Sequence, residues 1–488
     1  MTVLTLIPLI GALLVALVPG GRAARTLALG FMVGALAFAI SLALGYDRAA
    51  GGIQFEERLP WIPTLAVEYH VGADGLSLVL LLLATFVTPF AVLAAGDGLG
   101  RTRLVLALLL ETALIGTFTA LNFIHWFLFY ELSLVPAFLL IRSAGTPAAT
   151  RAALQFFIYT FVGGIAMLVG FLGIALATGS FDLIVLGQMG PHLDALLVRR
   201  FGWESAGALV FCCIFLGLAV KVPVVPFHTW LPAAYAEAPT PVSMLLTGLM
   251  SKMGVYGFLR LLVPLFPGKM QEFAVPLLGL ALLTVVFPAL VAMAQTDLKR
   301  LLAYSSVNHL GYCLLGIFAV AAFPLGAASA KASATNGVIL QMFNHGVTAS
   351  ALFCFVWFIE RRSGGLRGLG DFGGLRSAAP VLAGLMGIAI FSSLGLPGLN
   401  GFVGEFLIFS GTFQLAWWAP TIAALGLFTT AVFLLNLIQK VFTGPLPDRW
   451  RGFPDLGRAE IAVVVPAIGL MFLLGIFPQV LVALFNTP

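Results

Sequence analysis

The sequence predicts an all-α polytopic membrane protein of about 14 transmembrane helices, with two inverted five-helix repeats that each contain a broken helix. Three observations predict it. The 488 residues are 60% hydrophobic and only 9% charged, whereas a soluble domain is about half apolar and about a quarter charged. Apolar runs of spanning length follow one another along the whole chain. Two of those runs carry proline and glycine beside an ionisable residue. With 20 acids and 25 bases there is too little charge to cover a water-facing surface, which excludes a soluble enzyme, a nucleic-acid binder and a disordered scaffold.

A helix needs about 20 mainly apolar residues to cross the hydrocarbon core. Candidate spans lie at 2–19, 27–45, 73–95, 103–120, 122–141, 152–177, 206–235, 240–264, 273–295, 299–321, 334–360, 379–415, 420–443 and 460–485. The first carries no positive charge before its apolar stretch, and Arg22 and Arg25 follow it, so it reads as a retained helix rather than a signal peptide. The fourth and fifth are divided only by the polar step at Asn122. Continuous apolar runs such as 78–84 exclude a β-barrel, whose strands alternate in polarity. The longest polar stretches, 47–74 and 179–204, read as ordinary loops.

Basic residues sort to one side. With the N-terminus outside, sixteen fall in inner loops, six in outer loops, and Lys221, Lys252 and Arg260 inside apolar runs. This is the bias expected when cytoplasmic loops retain positive charge, and it places both termini on the outer face of the membrane. Arg260 is expected to snorkel to the outer interface, and Asp297, Lys299 and Arg300 to be solvated loop charges.

The interrupted spans read Lys221-Val-Pro223-Val-Val-Pro226-Phe-His228 and Leu396-Pro397-Gly398-Leu-Asn400-Gly401-Phe-Val-Gly404-Glu405. Proline deletes a backbone donor and clashes with the preceding turn. In lipid such breaks persist only where protein or a hydrated cavity satisfies the freed groups. The chain divides accordingly into 1–100 (three N-terminal helices), 101–266 (first repeat), 270–445 (second repeat, upside down) and 446–488 (last helix). Proline and glycine are also common in membrane helices generally; two clusters, each beside a charge, favour the transporter reading.

Glu131, Lys221, Lys252 and Glu405 lie deep in spans. At roughly 2.5–3.5 kcal/mol per charged residue at a helix centre, they must face the bundle interior, pair with one another or touch water. Burial penalises the charged form of either residue type, which makes each a carrier able to exchange a proton. A nearby Glu131 would act on the proton affinity of Lys221, so the pair reads as a switch; the alternative is a static salt bridge. His309 follows Ser305 by four residues and His345 follows Gln341 by four, so each pair shares a helix face. His228 follows the Pro226 break. Each of the three histidines reads either as a relay group or as a packing residue. His125 reads as interfacial, and Glu111 as equally structural or functional. Cys212, Cys213, Cys313 and Cys354 form no CxxC or Cys/His spacing, so no disulfide framework or metal site is indicated.

Taken together these motifs resemble a known family, the antiporter-like membrane subunits of proton-pumping NADH:quinone oxidoreductase (respiratory complex I), most closely its M type (chain 4). The resemblance rests on Phe129-Tyr-Glu131-Leu-Ser-Leu-Val-Pro136, Val220 through Pro239, Ser251-Lys252-Met-Gly254-Val-Tyr-Gly257, Asp297 through Gly311, and Gly395 through Glu405. It implies a subunit that translocates protons and is driven by redox chemistry in partner subunits, which would hold the FMN, the iron–sulfur clusters and the quinone; none is expected in this chain. It implies L-type and N-type neighbours, and no nucleic acid. The family's functional positions fall on Glu131, Lys221, Lys252 and Glu405, with His228, His309 and His345 along the relay. Related subunits and Mrp-type sodium/proton antiporters commonly carry lysine where Glu405 stands, which favours the M type. Alternatives are a subunit of a Mrp-type antiporter or membrane-bound hydrogenase, or a structural spacer of the membrane arm. Moving one charge against 100 mV needs about 2.3 kcal/mol, and no nucleotide motif or redox ligand in this chain supplies it.

Overall fold

The structure, a computed structural model, describes residues 1–65, 67–323 and 325–486. Helices dominate: α1 (Thr2–Leu17), α2 (Arg22–Gly45), α3 (Gly75–Ala95), α4 (Arg101–Thr119), α5 (Phe123–Leu132), α6 (Leu134–Arg142), α7 (Pro147–Thr178), α8 (Leu183–Phe201), α9 (Ala206–Lys221) and α10 (Trp230–Glu237). They continue as α11 (Thr240–Leu265), α12 (Pro267–Glu272), α13 (Ala274–Met293), α14 (Leu298–Ala322), α15 (Ala328–Ser363), α16 (Pro380–Ser393), α17 (Asn400–Leu415), α18 (Trp418–Phe442), α19 (Arg458–Ile476) and α20 (Gln479–Phe485). Among the described residues eleven helical stretches are long and apolar enough to cross a membrane, or twelve if the bent pair α8–α9 counts as one. The three predicted spans that fall short are α1, at 16 residues, and the two broken ones. Their breaks cut each into pieces too short to cross alone.

Two stretches read as loops are ordered structure. In the 47–74 stretch, β1 (Gln54–Ile62) and β2 (Val67–Ala73) pair antiparallel as a hairpin. The 179–204 stretch holds α8, whose N-terminal amides are capped by Asp182 and whose C-terminus stops at Gly202 with φ +77°. Leu186, Leu193 and Leu197 are buried along one side of α8, and the helix meets α9 at 116°. Its polar remainder makes it too hydrophilic for a span, which hides it from a hydropathy reading. It lies on the bundle instead of crossing it.

One end of the bundle collects arginines: Arg25 pairs with Asp97, Arg103 donates to Ser143, and Arg300 and Arg367 pair with Glu237. The other end carries the hairpin and both termini. The Met1 amine contacts Glu57 on β1, and the backbone at Leu484 lies against Gly75 at the start of α3. Arg260, expected to snorkel, instead pairs with Asp74 at 2.6 Å and donates to the Tyr256 hydroxyl at 3.2 Å. An acid at a helix N-cap is a better partner than lipid headgroups for a guanidinium this far in.

Two long helices, α7 at the periphery and α15 in the interior, each pack along one broken helix. In lipid, small residues let backbones approach closely. Gly163 of α7 meets Gly217 of α9, and Gly337 of α15 meets the Gly404 carbonyl of α17. A side chain at either contact would push the broken helix off its long neighbour.

Fully buried His70 staples the hairpin to the bundle. Its Nδ1 meets Asp182 at 2.7 Å and its Nε2 meets Glu56 at 2.8 Å. Burial opposes the imidazolium, but the bonds to Asp182 and Glu56 outweigh it and raise the His70 pKa above the ordinary value. A raised histidine pKa stabilises fully below about 6.5, the unfolded value, and the contribution is lost as pH rises through the higher folded value. Hydrogen exchange at Leu121 and Leu183, whose amides bond across this junction, should therefore quicken as pH rises through the raised value, beyond the intrinsic increase. His70→Gln should remove that extra rise; an unchanged profile would show that the staple is not ionic.

Candidate functional site

Every site residue predicted from the sequence lies within the bundle, and the structure gathers all of them but His228 into two groups. The first sits at the junction of α5, α7 and α9. Lys221 is the last residue of α9 and is 1% exposed. A helix C-terminus carries partial negative charge that suits a cation. Its Nζ donates to Ser133 Oγ at 3.2 Å and stands 4.5 Å from the centre of the Tyr130 ring. Glu131 makes no ion pair within 4 Å among the described residues, and its buried Oε1 has no hydrogen-bond partner there. Gly164 of α7 makes room for it: a Cβ there would fall 2.1 Å from Oε1. The two charges act on each other without touching, which argues against a static salt bridge.

The break after Lys221 is satisfied by protein. Trp230 Nε1 takes the Val220 carbonyl at 2.9 Å, and the Val225 amide donates to Thr284 at 3.0 Å. His228, just beyond, has ring contacts to Phe287 and Tyr304. Its Nδ1 has no partner among the described residues, and no hydrogen bond ties it to either group.

The second group is a continuous line. Lys252, 0% exposed, sits on α11 just after a π-helical stretch over Leu246–Met250. A π-turn disturbs the regular ladder of backbone bonds. Here two carbonyls take side chains: Leu246 accepts Tyr235 Oη at 2.9 Å, and Thr247 accepts Lys252 Nζ at 2.6 Å. Lys252 Nζ also meets His345 Nδ1 at 2.8 Å. The rings of His345 and His309 stand 5.2 Å apart. His309 Nδ1 meets Glu405 Oε1 at 2.9 Å, and its Nε2 meets Ser393 at 3.1 Å. Gln341 donates to the same Glu405 oxygen at 3.1 Å. A small cavity of about 10 Å³, lined by His309, Gln341, His345, Ser393 and Glu405 among others, lies beside this line. Polar walls of this kind suit bound water.

Glu405 lies in the second turn of α17, where the helix N-terminus favours an anion. That N-terminus is pinned by Asn400. Its Oδ1 accepts Ser392 at 2.5 Å and Thr348 at 3.3 Å, and Asn344 donates to its carbonyl at 2.7 Å. Gln341, Asn344, His345 and Thr348 recur at helical spacing on α15. That polar stripe is legible in the sequence, where only Gln341 and His345 stand out as a pair and Asn344 and Thr348 do not. Ser133, Tyr130 and Thr247 carry no such signal, because their roles arise from contacts between helices.

Between the groups the walls are apolar. Val222 and Leu218 lie against Gly254 of α11, and no hydrogen bond joins Lys221 to Lys252 among the described residues. Glu111 is fully buried, with neither carboxylate oxygen partnered there. His125, expected at an interface, is 3% exposed and packs on Tyr69 of the hairpin. Among the described residues no group of three or more His, Cys, Asp or Glu is placed to hold a metal.

The same chain matches known proteins. Residues 120–433 match the family described as NADH:quinone oxidoreductase/Mrp antiporter, TM. NADH-quinone oxidoreductase subunit M of Rickettsia conorii is 36% identical over 451 residues, covering 92% of this chain and 87% of that one. The chain belongs to the NADH:quinone oxidoreductase/Mrp antiporter family. Its fold is shared by a chain of respiratory complex I from Thermus thermophilus with bound NADH, at TM-score 0.86 and 30% identity, covering 99% of this chain and 97% of that one. A chain of the Mrp complex from Dietzia sp. DQ12-45-1b, at TM-score 0.84, 20% identity, and 100% and 97% coverage, shares the fold alone. Relatives and fold together make this a proton-translocating, antiporter-like membrane subunit.

Room for Glu131 is a testable requirement. Gly164→Ala should displace the carboxylate and lower proton transport at least tenfold, whereas Gly187→Ala, with nothing within 4 Å of its Cβ, should leave transport at the wild-type level. Equal transport by both variants, measured by dye quenching in membrane vesicles, would remove Glu131's position from the mechanism.

Proposed function

We propose that this chain is an M-type subunit of the membrane arm of NADH:quinone oxidoreductase, and that protons cross it through Glu131, Lys221, Lys252, His345, His309 and Glu405. The observation that carries the reading is the unbroken contact line from Lys252 through both histidines to Glu405. Each member can both accept and release a proton, and each lies within a hydrogen bond or a ring contact of the next.

In this reading a proton held on Lys252 passes to His345 and His309 and reaches Glu405, which offers two oxygens near an N-terminal helix dipole. Glu131 and Lys221 form the coupling pair. A change of charge in a neighbouring subunit shifts the proton on Glu131, and Lys221, held among the described residues only by a hydroxyl and a ring face, responds. Water fills the apolar gap between Lys221 and Lys252 when the pair changes state. His228, lacking a bond to either group, lines that gap as a secondary station. Energy comes from redox chemistry in partner subunits that hold FMN, iron–sulfur clusters and quinone, with L-type and N-type subunits as neighbours.

The breaks at 222–229 and 394–399 support two inverted repeats, 101–266 and 270–445, flanked by 1–100 and 446–488. α4 leaves the arginine-rich end, whereas α13 leaves the hairpin end, so the two halves run in opposite senses. The arginine-rich end then faces the cytoplasm of a bacterial cell, and both termini face outward.

Lys252→Met and Glu131→Gln should each abolish proton pumping coupled to NADH oxidation while the complex still assembles. His345→Leu should do the same, because it removes the middle of the line. Normal proton-to-electron stoichiometry in the assembled variants would refute the assignment. Transport that depends on sodium would move the chain to the antiporter side of its family.

A further inference from the structure

Lys299 reads as a solvated loop charge, yet it is buried, 1% exposed, at the start of α14. Its Nζ donates to the Ala238 carbonyl at 2.5 Å, at the residue that caps α10. Arg367 takes the Ala236 carbonyl at 2.6 Å, so two cations hold the last turn of the broken span. Around them Arg367 pairs with Asp297 at 2.6 Å and Arg300 pairs with Glu237 at 3.1 Å. Glu360, which takes the Thr240 hydroxyl, is the first of the acids acting on the Lys299 charge, followed by Asp297 and Glu237. None of these carboxylates lies within 4 Å of Nζ. A buried ammonium whose only hydrogen bond among the described residues is to one neutral carbonyl is poorly compensated. A simple structural tie would not need a charge there.

Polar groups lead inward from this point. Ser306 is seven residues along α14 from Lys299, on the same face and about 10.5 Å deeper. Its hydroxyl meets the Thr247 hydroxyl at 2.9 Å, and the Thr247 carbonyl is the one that receives Lys252. Ser251 Oγ, next to Lys252, is buried with no partner among the described residues. Leu302 and Ala303 fill the interval between Lys299 and Ser306. The path is thus polar at both ends and dry in the middle.

We propose that Lys299 is the gate of a direct proton entrance from the arginine-rich end to Lys252. Bonded to Ala238, it holds the end of α10 closed over the Leu302–Ser306 interval. Once it lets go, water reaches the Ser306–Thr247 pair, and an excess proton relayed from the bulk along that water adds to the neutral Lys252 amine, leaving each water neutral. Lys299 is a positioning residue here, and its charge is what the neighbouring acids draw on when the gate opens. The inference rests on Lys252 being a proton carrier.

The test uses the assembled complex in inverted membrane vesicles, with proton uptake read per electron transferred. Lys299→Met and Lys299→Gln should fall to the level of Lys252→Met, while Lys299→Arg and Arg300→Gln stay within twofold of wild type. In a background lacking native cysteines, Ser251→Cys should react with a membrane-impermeant methanethiosulfonate from the arginine-rich side at least fivefold faster when Lys299→Met is added. Normal pumping by Lys299→Gln beside a dead Lys252→Met would overturn the gate, leaving Lys299 a hydrogen-bond tie and the Lys252 reading intact. Normal pumping by all variants, Lys252→Met included, would overturn the reading beneath it. Should Lys299→Met fail to assemble, Lys299→Gln, which keeps a donor for Ala238, decides alone.

Discussion

An ammonium group in the middle of an apolar bundle persists only if something replaces the water it has lost, and the contacts of Lys252 Nζ organise much of this structure around that need. One contact is the Thr247 carbonyl, available beside the π-helical stretch of α11. The other is His345, on the long helix α15. Neither carries a fixed charge, so Lys252 is solvated without being locked into an ion pair. That is the condition for a group that must release its proton and recover it.

The broken helices follow from the same constraint applied to backbone. Each interruption strands amides and carbonyls where lipid offers no partner. Trp230 and Thr284 take up the freed groups at the first break, and Asn344, Ser392 and Thr348 converge on Asn400 at the second. The glycines that bring α9 against α7 and α17 against α15 hold those partners in reach. The breaks in turn set Lys221 at a helix C-terminus and Glu405 near a helix N-terminus, where the local dipole suits each charge.

Much of the site was legible before any coordinates. Apolar run length and the proline clusters mark the spans and their breaks, and four ionisable residues in those runs mark the proposed relay. Where the reading failed, local composition misled. Lys299 beside Arg300 and Asp297 has the look of a surface loop, but the end of α10 folds over it. Arg260 has the reach to snorkel, but Asp74 arrives from a distant part of the chain. Residues 179–204 are too polar for a span, and only the spacing of Leu186, Leu193 and Leu197 marks the helix they form.

The amino-acid sequence alone determined how many apolar segments there are to bury, where they break and which charges must be sheltered, because lipid imposes those terms on each segment separately. Only the tertiary structure decided which sheltered groups meet. It joined Lys252 to Glu405 through two histidines, left Lys221 apart behind Val222 and Leu218, and drew Lys299 inside. These outcomes depend on contacts between helices far apart in the chain, at distances of a few ångströms, which no single segment encodes.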